Sequence, residues 1–162
     1  MKFGKPIYKT CFILMLSIVF ATTSYGQSNE QEQVKATIKT FFDGFHKGDS
    51  SMVASVMTRD AILQTIGKNK AGKTLLRQEG LDGLLKAIAY RPDDQKWDER
   101  LLDYDINIDG AMAHAWTPYE FWFNDAFSHC GVNSFQLFKS ENGWKIIYLI
   151  DTRRRTGCTK AE

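Results

Sequence analysis

Leu101-Leu-Asp-Tyr-Asp-Ile-Asn-Ile-Asp109-Gly110-Ala111-Met-Ala-His-Ala-Trp116 decides the fold: two strand-like runs joined by Asp-Gly. A two-residue type I′ hairpin turn needs φ > 0 at both central residues, which Asp-Gly and Asn-Gly supply with least strain. Asn142-Gly143, between Ser134-Phe-Gln-Leu-Phe138 and Trp144-Lys-Ile-Ile-Tyr-Leu-Ile150, repeats that chemistry. The stretch 124–128 supplies a longer turn between the two hairpins. Residues 101–153 are therefore expected to form four consecutive antiparallel strands, a meander.

Working outward, Val34, Ile38, Phe41, Phe42 and Phe45 recur at helical spacing, opposite a polar face that includes Glu32, Lys35 and Lys39. His46-Lys47-Gly48 ends that helix with cationic side chains and a glycine free to take the left-handed conformation, and Asp49 can cap a short second helix carrying Met52, Val53 and Val56. Ala61 to Ile66 reads as a strand and 67–73 as a basic loop. Leu81, Leu84, Leu85 and Ile88 mark a third helix, ended by Pro92. Helix, helix, strand, helix and four antiparallel strands define an α+β fold, with about three helices packed on the concave face of a curved sheet.

Lys2, Lys5 and Lys9 precede an uncharged stretch whose apolar part, 11–20, is shorter than the ~20 residues that span a bilayer. Residues 1–26 are thus expected to be a signal peptide cleaved after Gly26, leaving 27–162 as a single domain, secreted or periplasmic and without membrane attachment. Removing the leader changes 21 basic and 19 acidic residues to 18 and 19. The mature chain is near neutral, which gives no electrostatic reason to expect a nucleic-acid partner. Cys130 and Cys158 remain, and composition alone allows either one disulfide or two free thiols.

The order of elements, the boundary at Gly48-Asp49 and the ending Gly143-Trp-Lys-Ile-Ile-Tyr148 resemble the nuclear transport factor two-like superfamily, which includes ketosteroid isomerase and the polyketide cyclases. His129-Cys-Gly131 with Asp151-Thr-Arg-Arg-Arg155 resembles its secreted bacterial branch labelled "putative lumazine-binding". The resemblance covers about 31–158 and implies a cone-shaped sheet around a small-molecule pocket. The isomerase's catalytic residues have no clear match in this chain.

Taking Asp109-Gly110 as the turn sets Ile108 opposite Ala111, Ile106 opposite Ala113 and Asp105 opposite His114. With Phe123 opposite His129 and Asn142-Gly143 as the second turn, the inward face carries Phe135, Leu137, Ile146 and Ile150 at its packed part. Tyr119, His129, Asn133, Tyr148 and Thr152 then converge at an open mouth. The opposite face carries Trp116, Trp122, Val132, Phe138, Ile147 and Leu149, beside Asp151 and Arg153. So much apolar surface on an uncovered sheet face predicts a homodimer through the convex side. Pro118 cannot donate to a ladder, so it marks an edge or a bulge. After a bulge the parity reverses, and Asp151 and Arg153 enter the pocket.

Residues 67–74 match the Walker A pattern letter for letter, but a phosphate-binding loop needs a parallel βαβ setting, which a hairpin-connected sheet does not provide. His46, His114 and His129 lack metal-ligand spacing, so no metal and no cofactor are expected. The expected ligand-binding residues are Tyr119, His129, Asn133, Tyr148, Asp151 and Arg153. They suit an exported protein holding a small organic, partly aromatic ligand. An isomerase, cyclase or dehydratase that moves a proton through His129 or Asp151 is the alternative, and a structural or interaction domain with a filled cone is a third.

Overall fold

The computed structural model describes residues 29–158; the expected signal peptide, 1–26, lies outside them. Helix α1 spans 29–47. It buries Val34, Ile38, Phe41 and Phe42, the aromatic stripe seen in the sequence. Gly48 takes φ +76° just past its end. The Arg91 guanidinium donates to the terminal carbonyls of Phe45 (3.0 Å) and His46 (2.9 Å), neutralising the negative end of the helix dipole. Asp49 then caps α2, Ser50–Ser55, by accepting from the Met52 N–H.

The remaining elements are β1 Met57–Lys68, β2 Thr74–Gly80, α3 Leu81–Ala89, β3 Trp97–Leu101, β4 Asp105–Asp109, β5 Met112–Phe123, β6 Ala126–Ser140 and β7 Gly143–Thr152. They build a seven-stranded sheet in the order β2-β1-β7-β6-β5-β3, with β4 also paired to β5. All pairings are antiparallel except β1 with β7. The α+β expectation holds, with the meander as β4 to β7. Two strands, β2 and β3, were not anticipated. The Walker-like segment is the end of β1, the start of β2 and the hairpin between them, with Asn69 Oδ1 accepting from the Ala71 and Lys73 N–H groups.

The turns differ from expectation in kind. Gly110 alone has positive φ in the first hairpin, and Asp109 pairs with Met112. That is the type II′ pattern on Gly110-Ala111. Register moves by two residues, so Ile106 faces Ala115, Ile108 faces Ala113, and Asn107 rather than Asp105 opposes His114. An even shift leaves the faces unchanged. In the last hairpin Glu141-Asn142 is the turn, and Gly143, φ +93°, takes the left-handed bulge position after it. The type I′ dihedrals occur instead at Asn124 and Asp125, φ +50° and +62°. Lys96 steadies that turn through backbone bonds to Asn124 and an ion pair with Asp125.

Pro118 causes no register shift. Its carbonyl accepts from the Leu102 N–H, so its ring nitrogen faces the gap between β3 and β4, where no ladder bond is required. The parity reversal arises elsewhere. Leu137 pairs with Ile146 but Gln136 pairs with Tyr148, so Ile147 is the extra residue of a bulge. Beyond it Leu149 and Asp151 point inward, while Tyr148 and Ile150 point outward, which corrects the expected faces. A second bulge sets Phe121, not Phe123, opposite His129.

The core joins α1, Val53 of α2, and Leu81 and Ile88 of α3 to Ala113, Ala115, Phe135, Leu137, Trp144 and Ile146 on the sheet. Small alanines on β5 let the helices approach closely. Cys130 and Cys158 form a disulfide, and Cys130 also pairs with Arg154, so the chain beyond β7 is fastened to β6.

Candidate functional site

A cavity of about 490 Å³ lies between the helices and the concave face. Phe41, Phe42 and Phe45 of α1, Leu84 of α3, and Leu63 and Leu149 of the sheet form its apolar wall. The α1 rings meet edge to face, Phe41 to Phe42 at 5.0 Å and Phe42 to Phe45 at 6.3 Å. Glu99, Asn133, Asp151 and Arg153 line the polar side.

Register explains the polar cluster. Asn133 and Asp151 are direct cross-strand partners, as are Thr65 and Asp151 on the parallel side. Thr65 donates to one Asp151 oxygen (2.5 Å), while the Tyr119 hydroxyl (3.1 Å) and Arg153 Nε (2.7 Å) donate to the other. Asn133 Nδ2 donates to Glu99 Oε1 at 2.7 Å. Burial raises the Glu99 carboxyl to about 8, with the Asp151 charge adding to it, although the Asn133 hydrogen bond and Arg153 oppose the shift. At neutral pH Glu99 therefore holds a proton beside the Asp151–Arg153 ion pair.

Tyr119 lies beneath this cluster rather than on the cavity lining. Burial and the carboxylates of Glu99 and Asp151 push its hydroxyl well up, so it serves as a fixed donor. Gly131, its cross-strand neighbour, makes room for it. A Cβ there would stand 1.7 Å from the Thr152 carbonyl oxygen and 2.8 Å from the Tyr119 ring.

Of the six expected ligand-binding residues, Asn133, Asp151 and Arg153 line the cavity. His129 does not; its ring packs 5.0 Å from Phe121 and its Nδ1 meets the Ser128 hydroxyl. Burial, then the charges of Arg153 and Arg155, lower it to about 4, so it is neutral at physiological pH. Tyr148 is on the outer face, bonded to Gln64. His46 has a positioning duty that its place at the helix end did not reveal: its Nε2 accepts from the Glu99 N–H at 2.9 Å. His114 meets the Ser134 hydroxyl. Glu99 itself escaped notice, yet Trp97 and Leu101 pack against the core, and an acid at the period-two position between them faces the same way.

A curved sheet closed by three helices around one cavity is the nuclear transport factor two-like architecture. The chain belongs to the family described as "Putative lumazine-binding", which matches residues 29–148. No curated protein matches the chain. Among solved structures it is similar to a nuclear transport factor two-like protein with a cystatin-like fold from Novosphingobium aromaticivorans (TM-score 0.64, 11% identity, 85% of this chain and 90% of that one). It is also similar to a protein from Streptomyces avermitilis titled a putative dehydratase (TM-score 0.61, 15% identity, 79% and 98%). A third is the beta subunit of what is titled a putative aromatic-ring-hydroxylating dioxygenase, again from Novosphingobium aromaticivorans (TM-score 0.63, 12% identity, 78% and 90%). At these identities the likeness establishes the fold alone.

Proposed function

We propose that this is an exported binding protein that holds a small, partly aromatic organic molecule in the cavity and works as a homodimer through its convex face. The observation that carries the reading is the cavity itself: about 490 Å³, with three phenylalanines facing a hydrogen-bonding cluster. That is the size and division of labour of a small-molecule site, where apolar walls provide affinity and a few polar groups fix orientation. The family's description names lumazine, a two-ring heteroaromatic, and a ligand of one or two rings suits this volume. For the dimer, Met112, Trp116 and Phe138 lie exposed on the outer face of the paired strands β5 and β6.

The test is mass spectrometry of what denaturation releases from protein purified under native conditions, compared with Leu84→Trp, whose indole would occupy the space against the phenylalanine wall where a ligand ring would lie. A small molecule should appear with the parent and not with the variant. Equal release from both would overturn the reading. Export predicts an N-terminus at Gln27, read by N-terminal sequencing of the secreted protein; retention of Met1 would refute it.

A second reading, an enzyme that moves a proton, is favoured by one feature, the protonated Glu99 next to the ionised Asp151–Arg153 pair. In that case Glu99→Gln would abolish turnover of the released compound while leaving its binding within a few-fold. Turnover unchanged in that variant would exclude this role for Glu99.

A further inference from the structure

The geometry points to an organic anion as the ligand class: a ring lying in the phenylalanine wall, with its carboxylate or phosphate at the cavity mouth between Arg77 and Arg153. This rests on the reading of the cavity as a binding site and specifies what it takes.

Thr65 is the hub of the mouth. It pairs across the β1–β2 ladder with Arg77, donates to Asp151 and lies 3.4 Å from Arg153 Nη2. The two arginines flank the bare backbone of Gly67: a Cβ there would be 3.1 Å from Arg77 Nη2 and 4.0 Å from Arg153 Cβ. Arg153 spends Nε on Asp151 and Nη2 on Thr65, which leaves Nη1 without a hydrogen-bond partner among the described residues. Arg77 also lines the cavity and has no ion-pair partner among the described residues.

Three acids line the cavity beside this charge. Asp151 pairs with Arg153 and Glu99 holds its proton at neutral pH, so the uncompensated cation of the mouth is Arg77. Glu79 lines the cavity too, but its carboxylate is set against Gly83 in the first turn of α3. The surroundings are basic as well. Lys68, Lys70 and Lys73 occupy the tip of the β1–β2 hairpin, and Arg154 and Arg155 follow β7, whose end runs beside that of β1. The lysines of the Walker-like segment thus gain a role the sequence did not supply: with the arginines they set a positive potential over the entrance, which raises the local concentration of anions. Guanidiniums recognise carboxylates and phosphates through paired hydrogen bonds, and desolvation by aromatic walls strengthens them.

The test measures calorimetric binding of 2-naphthoate and its neutral isostere 2-naphthamide to the purified protein, to Arg77→Gln and to Leu84→Trp. Leu84→Phe replaces the last variant if the larger ring unfolds α3. Naphthoate should bind about tenfold or more tighter than naphthamide, lose about tenfold in Arg77→Gln and weaken with added salt. Arg77 is exposed on an edge strand, so the melting temperature of that variant should match the parent. Equal binding of acid and amide, both abolished by Leu84→Trp, would overturn the anion assignment and leave the cavity reading standing. Binding untouched by Leu84→Trp would overturn both, and binding of neither probe would overturn the anion assignment alone. Measuring naphthyl phosphate beside naphthoate separates the two anionic groups.

Discussion

Asn133 holds the carboxyl of Glu99 across the width of β5, amide to acid at 2.7 Å, and so ties the outer strand β3 to the polar cluster of the cavity. The folded protein keeps a proton on Glu99 up to about pH 8, whereas the unfolded chain releases it near 4.5. A raised carboxyl binds more protons when folded. Its contribution to stability is complete below pH 4.5 and is lost as the pH rises toward 8. Glu99→Gln keeps the shape of the neutral acid and should remove this loss. Urea midpoints from pH 5 to 9 should show the variant overtaking the parent at high pH, by at least about 1 kcal/mol at pH 9. Parallel profiles would show that Glu99 ionises as an ordinary surface acid.

Gly131 is required by contact and not by a special dihedral, because the Thr152 backbone and the Tyr119 ring occupy the space a side chain would need. Gly131→Ala must push β6 away from the end of β7, where Asp151 and Arg153 sit. The expected cost is about 3 kcal/mol or more, at the upper end for overpacking, with loss of ligand binding as well. Chemical denaturation of the variant checks this, and a loss below about 1 kcal/mol would mean that the β6–β7 contact is looser than described.

The meander was legible because Asp-Gly and Asn-Gly punctuate long strands with alternating burial, and α1 because its aromatic stripe keeps helical spacing. β2 was not legible: six of the seven residues of Thr-Leu-Leu-Arg-Gln-Glu-Gly are exposed, so this edge strand carries no buried alternation to read. β3 hid behind Asp98, Glu99 and Arg100, although its inward positions are Trp97, Glu99 and Leu101. The faces of β7 failed for a definite reason. Ile146-Ile-Tyr-Leu-Ile150 is apolar at every position, so nothing in its pattern marks Ile147 as the bulged residue, and one extra residue exchanges the faces of everything after it. That is why Asp151 and Arg153 belong to the cavity and Tyr148 does not.

The Cys130–Cys158 bridge closes a loop with a sequence separation of 28 and fastens the segment carrying Arg154 and Arg155 to β6. Cross-linking at that separation restricts the unfolded chain by about 3 to 4 kcal/mol. Cys158→Ser should lower the melting temperature by on the order of 10 °C, and a reducing agent should lower the parent to match. A parent that melts identically with and without reductant would show that the bridge does not contribute.

On the convex face the corrected register matters, because Leu149 faces the cavity and is no use as a probe of the outer surface. Met112 and Phe138 are cross-strand partners where the β5–β6 ladder meets the β4–β5 hairpin, and Trp116 lies on the same face of β5, all three about half exposed or more. Aromatic and methionine side chains clustered on paired strands suit the desolvated core of an interface. A second copy of the chain is the partner that the same self-complementary patch would serve on both sides of a two-fold axis. Light scattering should give twice the monomer mass, and Trp116→Glu or Phe138→Glu should each give monomer, since a carboxylate at the centre of the interface would be desolvated without a partner. Ligand binding should survive in both monomers, because the cavity is on the other side of the sheet. Monomer mass for the unmodified protein at micromolar concentration would eliminate the dimer.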